Sequence, residues 1–249
     1  MRCFATLLTT DSYLPGALTL ARSLRATETS HSLLVVVTDR VSPEARDALS
    51  RAFDRIVEVP VVDIGDAGNL ALLGRLELGE TGTKLHVWNP DVVGADVERL
   101  VFLDADTLVL QNVDSLFGFL DGGAEFAAAP DVGWPDCFNS GVFVCRPGAE
   151  IFAALMEHLL TVGSFDGGDQ GLLNSFFSTW STGAPCPTAT SPFRPTARLP
   201  FTFNVTPSAF YSYLPAFARF HTDISIVHFI GSLKPWNMER GWDGGVAKR

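Results

Sequence analysis

One stretch decides the fold of this chain: Arg99-Leu100-Val101-Phe102-Leu103-Asp104-Ala105-Asp106-Thr107. An apolar run of strand length ends directly in two carboxylates that are separated by one residue. Ligands of open α/β sheets bind at the carboxyl ends of the strands, so both carboxylates are predicted to face such a crevice. Like charges this close repel each other unless a cation lies between them. The stretch therefore predicts a clamp for a divalent metal, which can in turn hold a phosphate.

The residues before this stretch alternate between strand and helix patterns. Two helix starts separate three apolar runs, one with Pro15 in its first turn and one with Ser42 as its N-cap. The predicted strands are Phe4–Leu8, Leu33–Thr38 and Ile56–Val62. This order predicts an α/β fold with a mainly parallel, doubly wound sheet. No G-x-G-x-x-G motif follows the first strand, so the dinucleotide-binding fingerprint is absent.

The pattern continues after the central stretch. Strands are predicted at Glu125–Ala129, Val142–Cys145, Leu199–Val205 and Ser225–Ile230, and helices at Ile151–Leu160 and Leu172–Phe177. Residues 181–198 are rich in Pro, Ser and Thr and predict a surface loop. Because no segment separates two apolar cores, we expect residues 1–249 to form one domain.

Composition and charge exclude several classes of protein. Hydrophobic residues make up 47% of the 249 residues and charged residues 18%, which excludes a disordered chain. The formal net charge is -10, so we expect no nucleic-acid partner, which would need a basic face. The cysteines have no metal-binding spacing, and no apolar run is long enough to span a bilayer. The first residues do not form a signal peptide, so we expect a cytoplasmic protein with free thiols and no membrane partner.

The loop after the first predicted strand has side chains that suit a nucleoside. Hydroxyls such as that of Thr10, together with the carboxylate of Asp11, can bind a ribose or a base edge. Tyr13 can stack on a base. A capped helix with a core tyrosine explains the same residues, and the loop by itself favours that simpler interpretation.

Cations are scarce, so those near polar loops are candidates to bind an anionic ligand. Arg75 and Lys84 are two such cations, although a role as solvated surface residues is the simpler interpretation. His228 ends a predicted strand and is followed by Gly231 and Lys234, in a loop that can grip a phosphate. A histidine in an apolar strand is otherwise an ordinary core residue.

Two further loops offer polar groups to a sugar. Asn139 and Ser140 precede a predicted buried strand and can donate hydrogen bonds, although a tight turn also explains them. Asp166 and Asp169 lie in a glycine-rich loop where the backbone can approach a ligand closely. The alternative role for Asp169 is that of a helix N-cap, worth about 1 kcal/mol.

Several motifs occur together and in order over residues 6–237. They are Phe102–Leu110, Gly133–Phe143, Gly163–Gly171, Tyr211–Ala216, and His228-Phe229 with Lys234-Pro235-Trp236-Asn237. This ordered set resembles the glycogenins, which are retaining glucosyltransferases of glycosyltransferase family 8. The resemblance implies a Rossmann-like nucleotide-sugar transferase fold in a single domain, with UDP-glucose as the donor and a glucan or maltoside as the acceptor.

The resemblance also implies a metal site. Asp104 and Asp106 match the metal-binding carboxylates of the family, and His228 matches its third protein ligand. Mn²⁺ is the implied ion, with Mg²⁺ as a possible substitute, because carboxylates serve both ions and an imidazole favours the softer one.

Further residues match the donor site of the family. The matching donor-binding positions are Leu8, Thr10, Tyr13, Arg75, Lys84, Asp104, Ala105, Asp106, Asn139, Ser140, Asp166, Asp169, Gln170, His228, Gly231 and Lys234. Within this set, Asp169 is expected to lie nearest the anomeric carbon, and Asp166, Gln170 and Lys84 are the other expected catalytic residues. Lys234 matches a lysine that binds the diphosphate.

Glycogenins first glucosylate a tyrosine of their own chain. The segment Leu199–Asn204 matches the region expected to hold that tyrosine, and the matching position is Phe203, which has no hydroxyl. We therefore expect self-priming to be lost while UDP-glucose hydrolysis and transfer to added maltosides remain. Tyr211 and Tyr213 follow nearby, and core packing is the expected role of both.

The resemblance also implies a homodimer, and glycogen synthase as a partner of the full-length protein. We expect this chain to be the catalytic domain without the C-terminal linker and the synthase-binding segment. Two alternatives remain open. One is a family 8 transferase with another donor, such as a galactosyl donor, or another acceptor. The other is a non-catalytic scaffold that binds the donor and positions glycogen synthase.

Overall fold

The computed structural model describes residues 1–65, 79–133, 135–181, 194–207 and 214–238. The strands of the described chain are β1 Arg2–Leu8, β2 Ser32–Val37, β3 Arg55–Glu58, β4 Arg99–Leu103, β5 Thr107–Val109, β6 Phe126–Pro130, β7 Phe138–Cys145, β8 Thr196–Arg198 and β9 Ile226–His228. The α-helices are α1 Leu14–Ala26, α2 Pro43–Ser50, α3 Pro90–Val93, α4 Ala149–Thr161, α5 Asp169–Phe176 and α6 Leu214–Phe220. A buried 3₁₀ segment, Gly82–Trp88, precedes α3.

The central sheet has seven strands in the order β3-β2-β1-β4-β7-β6-β8. Its first four strands are mutually parallel, and β8 is parallel to β6. Strand β7 is antiparallel to both of its neighbours, β4 and β6. The predicted α/β class with a mainly parallel sheet is confirmed. The strands near its centre carry long apolar runs because helical layers cover both faces.

Alternation along each strand divides the core between the two faces of the sheet. Phe4, Val35 and Val101 pack on one side with α1, α2 and the 3₁₀ turn Asp114–Leu120. The neighbouring strand residues pack on the other side with the Gly82–Trp88 segment, α3, α4 and α5. The centre of that second cluster is the ring of Trp88, stacked on Phe143 with ring centroids 5.0 Å apart.

Several predicted boundaries are corrected by the structure. Strand β3 ends at Glu58 rather than Val62, because Pro60 follows and cannot donate a ladder hydrogen bond. The predicted strand Leu199–Val205 is instead a 3₁₀ turn over Phe201–Phe203, preceded by Pro200. The helix expected at Leu172 begins earlier, at Asp169, and its N-cap is Gly168. The N-cap alternative for Asp169 is therefore wrong.

A second, two-stranded sheet lies beside the carboxyl end of β4. Strand β5 pairs with β9 in antiparallel register, which places Thr107 opposite His228. This pairing brings β9 back to the central stretch although about 120 residues of sequence separate them. In the part of the chain that is described, no helix has the length and apolar character needed to cross a bilayer.

Candidate metal and donor site

The turn after β4 directs the first carboxylate of the central stretch. The backbone N–H of Asp104 donates to the carbonyl of Gly141 on β7, at 2.8 Å. The carbonyl of Asp104 then accepts from the N–H and the hydroxyl of Thr107, at 3.0 and 2.7 Å. A strand that is buried from Leu100 to Leu103 thus ends in a closed turn that fixes the backbone of Asp104.

His228 reaches this turn from β9. Its Nε2 lies 3.2 Å from an oxygen of Asp106 and 3.8 Å from an oxygen of Asp104. One ligand atom from each of the three residues lies within 4.8 Å of the others. A Cβ at position 141 would collide with the imidazole ring, so a glycine is required there. We refer to Asp104, Asp106 and His228 as the metal triad.

The metal triad fits a divalent cation. Two carboxylates and one imidazole nitrogen form an oxygen and nitrogen donor set that suits Mn²⁺ and Mg²⁺. Burial raises the pKa of Asp104, and the charge of Lys84 offsets this only in part. Burial also acts to raise the pKa of Asp106, but contact with His228 and Lys234 outweighs it and lowers that pKa to about 2. The structure therefore brings together the three residues that the sequence predicted as ligands.

Lys84 is buried at the centre of the site. Its Nζ lies 2.5 Å from an oxygen of Asp169 and 3.0 Å from an oxygen of Asp104, and it donates to the carbonyl of Ser140 at 3.3 Å. Burial acts to lower the pKa of Lys84, but the charges of Asp104 and Asp169 outweigh it and raise that pKa above its ordinary value. The side chain is 4% exposed, so the surface alternative for Lys84 is wrong. Arg75, the other predicted cation, lies outside the described residues.

Asp166 and Asp169 differ in what they contact. Asp169 begins α5 and turns its carboxylate to Lys84, while its backbone N–H donates to the hydroxyl of Thr81 at 3.0 Å. Asp166 instead accepts from the Ser164 hydroxyl and the Gly168 N–H, both at 2.8 Å, within its own loop. Burial raises the pKa of Asp166. Only Asp169 of this pair joins the Lys84 ion-pair cluster.

Lys234 and Trp236 fasten the end of the described chain to the first loop. The Nζ of Lys234 forms a buried ion pair with Asp106 and lies 5.4 Å from the centroid of the Tyr13 ring. Trp236 packs edge-on against Tyr13 with centroids 5.7 Å apart, and its indole N–H donates to the carbonyl of Ser12 at 3.1 Å. The predicted nucleoside loop and phosphate loop are therefore in contact.

The remaining predicted donor-binding residues differ in burial and in the contacts that they make. The side chain of Leu8 is fully buried in the first apolar cluster, so only its backbone groups remain available to a donor. Thr10 shares a hydroxyl hydrogen bond with Ser12 at 2.7 Å, beside Tyr13. Ala105 is buried between the two aspartates. Gly231 has φ +101°, a conformation that favours glycine.

A row of amides lies behind the metal triad. Gln170 accepts from the side chain of Asn139 at 3.0 Å and from the backbone N–H of Ser140 at 3.3 Å, and it donates to Asp131 at 2.7 Å. Asn204 donates to Asn139 at 2.8 Å and contacts His228. Sequence reasoning missed Asp131 and Asn204. The polar Asn204 after Leu-Pro-Phe-Thr-Phe was the available signal, since a buried amide in an apolar segment needs partners.

Phe203 has a packing role. Its ring packs against the first apolar cluster and edge-on to Phe119, with centroids 6.1 Å apart. The next residue, Asn204, is the one that reaches the metal triad. Packing therefore explains an aromatic ring at position 203. Tyr211 and Tyr213 lie outside the described residues.

Comparison with known proteins decides the family. The sequence profile described as Glycosyl transferase family 8 matches residues 5–240. This chain belongs to glycosyltransferase family 8. The family 8 chain is 49% identical to Glycogenin-2 of Homo sapiens over 95% of its own length and 44% of that protein. It is 47% identical to Glycogenin-1 of Oryctolagus cuniculus, over 95% of its own length and 66% of that protein. The chain thus spans less than half of the length of the first relative and about two thirds of the length of the second.

Solved structures of low sequence identity share the fold of this family 8 chain. A galactosyltransferase, LgtC, solved with donor and acceptor sugar analogues, superposes with a TM-score of 0.63 at 17% identity, covering 98% of this chain and 92% of that one. The glycosyltransferase GlyE of Streptococcus pneumoniae gives 0.62 at 19% identity, covering 96% and 57%. Identities this low establish the fold alone.

Proposed function

We propose that this family 8 chain is a glycogenin-type glucosyltransferase that transfers glucose from UDP-glucose with retention, as a step in glycogen priming. The observation that carries this proposal is the meeting of the metal triad with the Lys84–Asp169 ion pair in one buried polar centre. The alternative of a non-catalytic scaffold does not require a further carboxylate, Asp169, in the same polar centre as the metal triad. The names and identity of the relatives support glucose as the transferred sugar.

The metal triad and Lys234 are proposed to bind the diphosphate of the donor. Asp104, Asp106 and His228 would hold Mn²⁺, or Mg²⁺ in its place, and the bound ion would neutralise the departing diphosphate as a Lewis acid. Lys234 adds a positive charge beside Asp106. On binding, the Lys234 ammonium exchanges part of its contact with that carboxylate for a phosphate oxygen.

Asp169 is the proposed carboxylate nearest the anomeric carbon. Lys84 contacts it at 2.5 Å as a charged hydrogen-bond partner. A carboxylate there stabilises the positive charge that develops on the sugar as the diphosphate leaves. Gln170, Asn139 and Ser140 form the neighbouring polar wall for the glucose hydroxyls, and Asp166 shapes the loop that presents Asp169.

The nucleoside is proposed to bind in the first loop. Thr10 and Tyr13 would contact the uridine, Leu8 and Ala105 would contribute backbone groups, and Gly231 lets the phosphate loop turn. The acceptor is a glucan or a maltoside. We further propose one catalytic domain over residues 1–249, a homodimer, a cytoplasmic location, and glycogen synthase as a partner of the full-length protein.

Turnover of UDP-glucose tests the proposal directly. UDP release in the presence of Mn²⁺ should rise when maltose or a maltoside is added, with product of retained configuration. Asp169→Asn should lower transfer about 100-fold or more, as for the loss of one transition-state partner, while UDP affinity stays near the parent value. Asp136→Asn is the matched control, because Asp136 pairs with Arg198 at the surface. Transfer at the parent rate by Asp169→Asn would reject the assignment, and competition by UDP-galactose at equal concentration would reject glucose specificity.

Intact-mass measurement tests the acceptor. The proposal derived from Phe203 is that the purified chain gains no hexose when it is incubated with UDP-glucose and Mn²⁺, and that Phe203→Tyr gains hexose. A hexose ladder on the parent chain overturns this. In that case, Tyr211→Phe and Tyr213→Phe would show which of these tyrosines is the acceptor.

A further inference from the structure

A continuous line of buried amides connects the glucose-binding wall to the histidine of the metal triad. It runs from Asn139 to Asn204 at 2.8 Å and from Asn204 to Nδ1 of His228 at 2.9 Å. We propose that Asn204 is a positioning residue that holds His228 as the Nδ1–H tautomer and thereby turns the Nε2 lone pair to the metal. This inference rests on the proposed metal-dependent function and deepens it.

A backbone group sets the direction of the line. The N–H of Gly141 donates to Oδ1 of Asn139 at 2.9 Å, and a backbone N–H can only donate. The oxygen end of Asn139 is therefore fixed at that side. Its amide nitrogen faces Oε1 of Gln170 at 3.0 Å, and that same oxygen accepts from the N–H of Ser140 at 3.3 Å. Backbone donors thus fix the orientation of both amides.

Asn204 inherits its orientation from Asn139. Because Oδ1 of Asn139 is an acceptor, Asn204 must present its Nδ2 hydrogens to it. The oxygen of Asn204 then faces Nδ1 of His228. A side-chain amide oxygen only accepts hydrogen bonds, so Nδ1 must carry the hydrogen. In the neutral ring, Nε2 then has a free lone pair, which faces the two carboxylates of the metal triad.

Burial makes this orientation costly to reverse. Asn139, Asn204 and His228 are 8%, 5% and 4% exposed, so water has little access to replace a lost partner. Turning one amide over would place two acceptors, or two donors, face to face inside the protein. The line of amides therefore fixes the orientation of each donor and acceptor in it, in addition to packing.

The consequence concerns metal affinity. Metal-binding histidines are held in one tautomer by a partner of their other ring nitrogen, and loss of such a partner lowers metal affinity by roughly 10-fold to 100-fold. A lone pair at Nε2 beside two carboxylate oxygens completes a donor set for a cation. Asn204 therefore favours cation binding by the metal triad without contacting the cation itself.

The test measures Mn²⁺ binding to the purified chain in the absence of nucleotide, by titration calorimetry. Asn204→Leu, which removes the acceptor at Nδ1, should weaken Mn²⁺ binding by roughly 10-fold to 100-fold. Asn204→Asp keeps an acceptor at Nδ1 but places a second acceptor against Oδ1 of Asn139, so it should regain only part of that loss. The control is Asn174→Leu, because Asn174 makes comparable amide bonds to the backbone of Phe138, at 3.0 and 2.9 Å, away from His228.

A second measurement keeps the inference testable if Asn204→Leu fails to fold. In the metal-free parent at a pH where the imidazole is neutral, ¹⁵N chemical shifts of His228 should report a hydrogen on Nδ1 and none on Nε2, with His228→Gln used for the assignment. A hydrogen on Nε2, or unchanged Mn²⁺ affinity in Asn204→Leu, overturns the inference. Failure of the parent to bind Mn²⁺ overturns the proposed function instead, and the ¹⁵N shifts still decide the tautomer.

Discussion

Two buried lysines, Lys84 and Lys234, contact different carboxylates of the metal triad and are held in different ways. Each is 4% exposed. Lys84 lies in the 3₁₀ segment Gly82–Trp88, in which every residue is buried, and it pairs with the carboxylates of both Asp104 and Asp169. Among the described residues, Lys234 forms an ion pair with Asp106 only, and it donates to the carbonyl of Phe229 at 2.9 Å from a loop whose Leu233 is 62% exposed.

The difference distinguishes Lys84, whose charge stabilises the fold, from Lys234, whose charge serves ligand binding. Lys84 joins the end of β4 to the start of α5 through two ion pairs, so its charge is needed even without a substrate. Lys234 lies on a terminal segment that packs against the nucleoside loop through Trp236 and Tyr13. We expect loss of Lys84 to reduce both stability and activity, and loss of Lys234 to reduce donor binding more than stability.

The largest effect is expected for Lys84→Met. It leaves two carboxylates facing each other without a cation, and removing one partner of a buried ion pair costs about 4 kcal/mol of unfolding free energy. Transfer should fall by about 1,000-fold or more, since a charged partner of the reacting centre is lost. Urea unfolding and UDP release measure the two effects.

A double variant sharpens this prediction. Lys84→Met with Asp169→Asn removes one of the two uncompensated charges, so stability should partly recover while activity does not. If Lys84→Met unfolds at the parent urea concentration, Lys84 is not part of the fold in the sense proposed.

A smaller effect is expected for Lys234→Met. His228 remains beside Asp106, so we expect a stability loss of about 2 kcal/mol, typical of one hydrogen bond to a charged group. UDP affinity measured with Mn²⁺ should fall about 10-fold, which corresponds to about 1.4 kcal/mol. Arg51→Met is the control with the same change of charge, because Arg51 pairs with Asp47 at an exposed helix surface. A stability loss equal to that of Lys84→Met would remove the contrast between the lysines.

Gly16→Ala tests the segment that holds Lys234. A Cβ at Gly16 would collide with the carbonyl oxygen of Ala105 and lie 2.7 Å from the indole ring of Trp236. We expect overpacking to cost about 1 to 2 kcal/mol of stability and UDP affinity to fall, because Trp236 must move. Gly122→Ala, where no atom lies within 4 Å of the new Cβ, should change neither quantity measurably. If Gly16→Ala binds UDP with the parent affinity, the position of Trp236 does not affect donor binding.

The smallest effect is a dependence of stability on pH that is unrelated to either lysine. Burial lowers the pKa of His158, whose ordinary value is 6.5, and its ring bonds to the hydroxyl of Ser175. As pH falls through 6.5, His158 therefore binds a proton in the unfolded chain before it does so in the folded chain. The free energy of unfolding then falls by up to about 1.4 kcal/mol per pH unit, until the pKa of the folded state is reached. His158→Gln should reduce this slope in denaturant titrations at pH 5 to 7. An unchanged slope would show that His158 is not its source, and the lysine variants are best compared above pH 7.

Much of the fold could be predicted from local sequence. The apolar run before Asp104 predicted a buried strand, and the Ser42-Pro43 pair predicted the start of α2, where the Ser42 hydroxyl accepts from the N–H of Ala45 at 3.2 Å. Short-range patterns succeeded because they reflect interactions within one element. They failed at Leu199–Val205, where an alternating apolar pattern was compatible with a strand but Pro200 and the neighbouring contacts selected a turn.

The sequence by itself determined the strand that ends in two carboxylates, the α/β order of elements and, through ordered motifs, the family. Only the tertiary structure decided which charges meet. It buried Lys84 between Asp104 and Asp169, returned Lys234 to Asp106 across 128 positions, and kept Asp166 within its own loop. It also placed Asn204 behind His228. The physical reason is that a side chain's partners in a buried site come from distant elements, whose pairing is a property of the whole packed sheet and not of any local pattern.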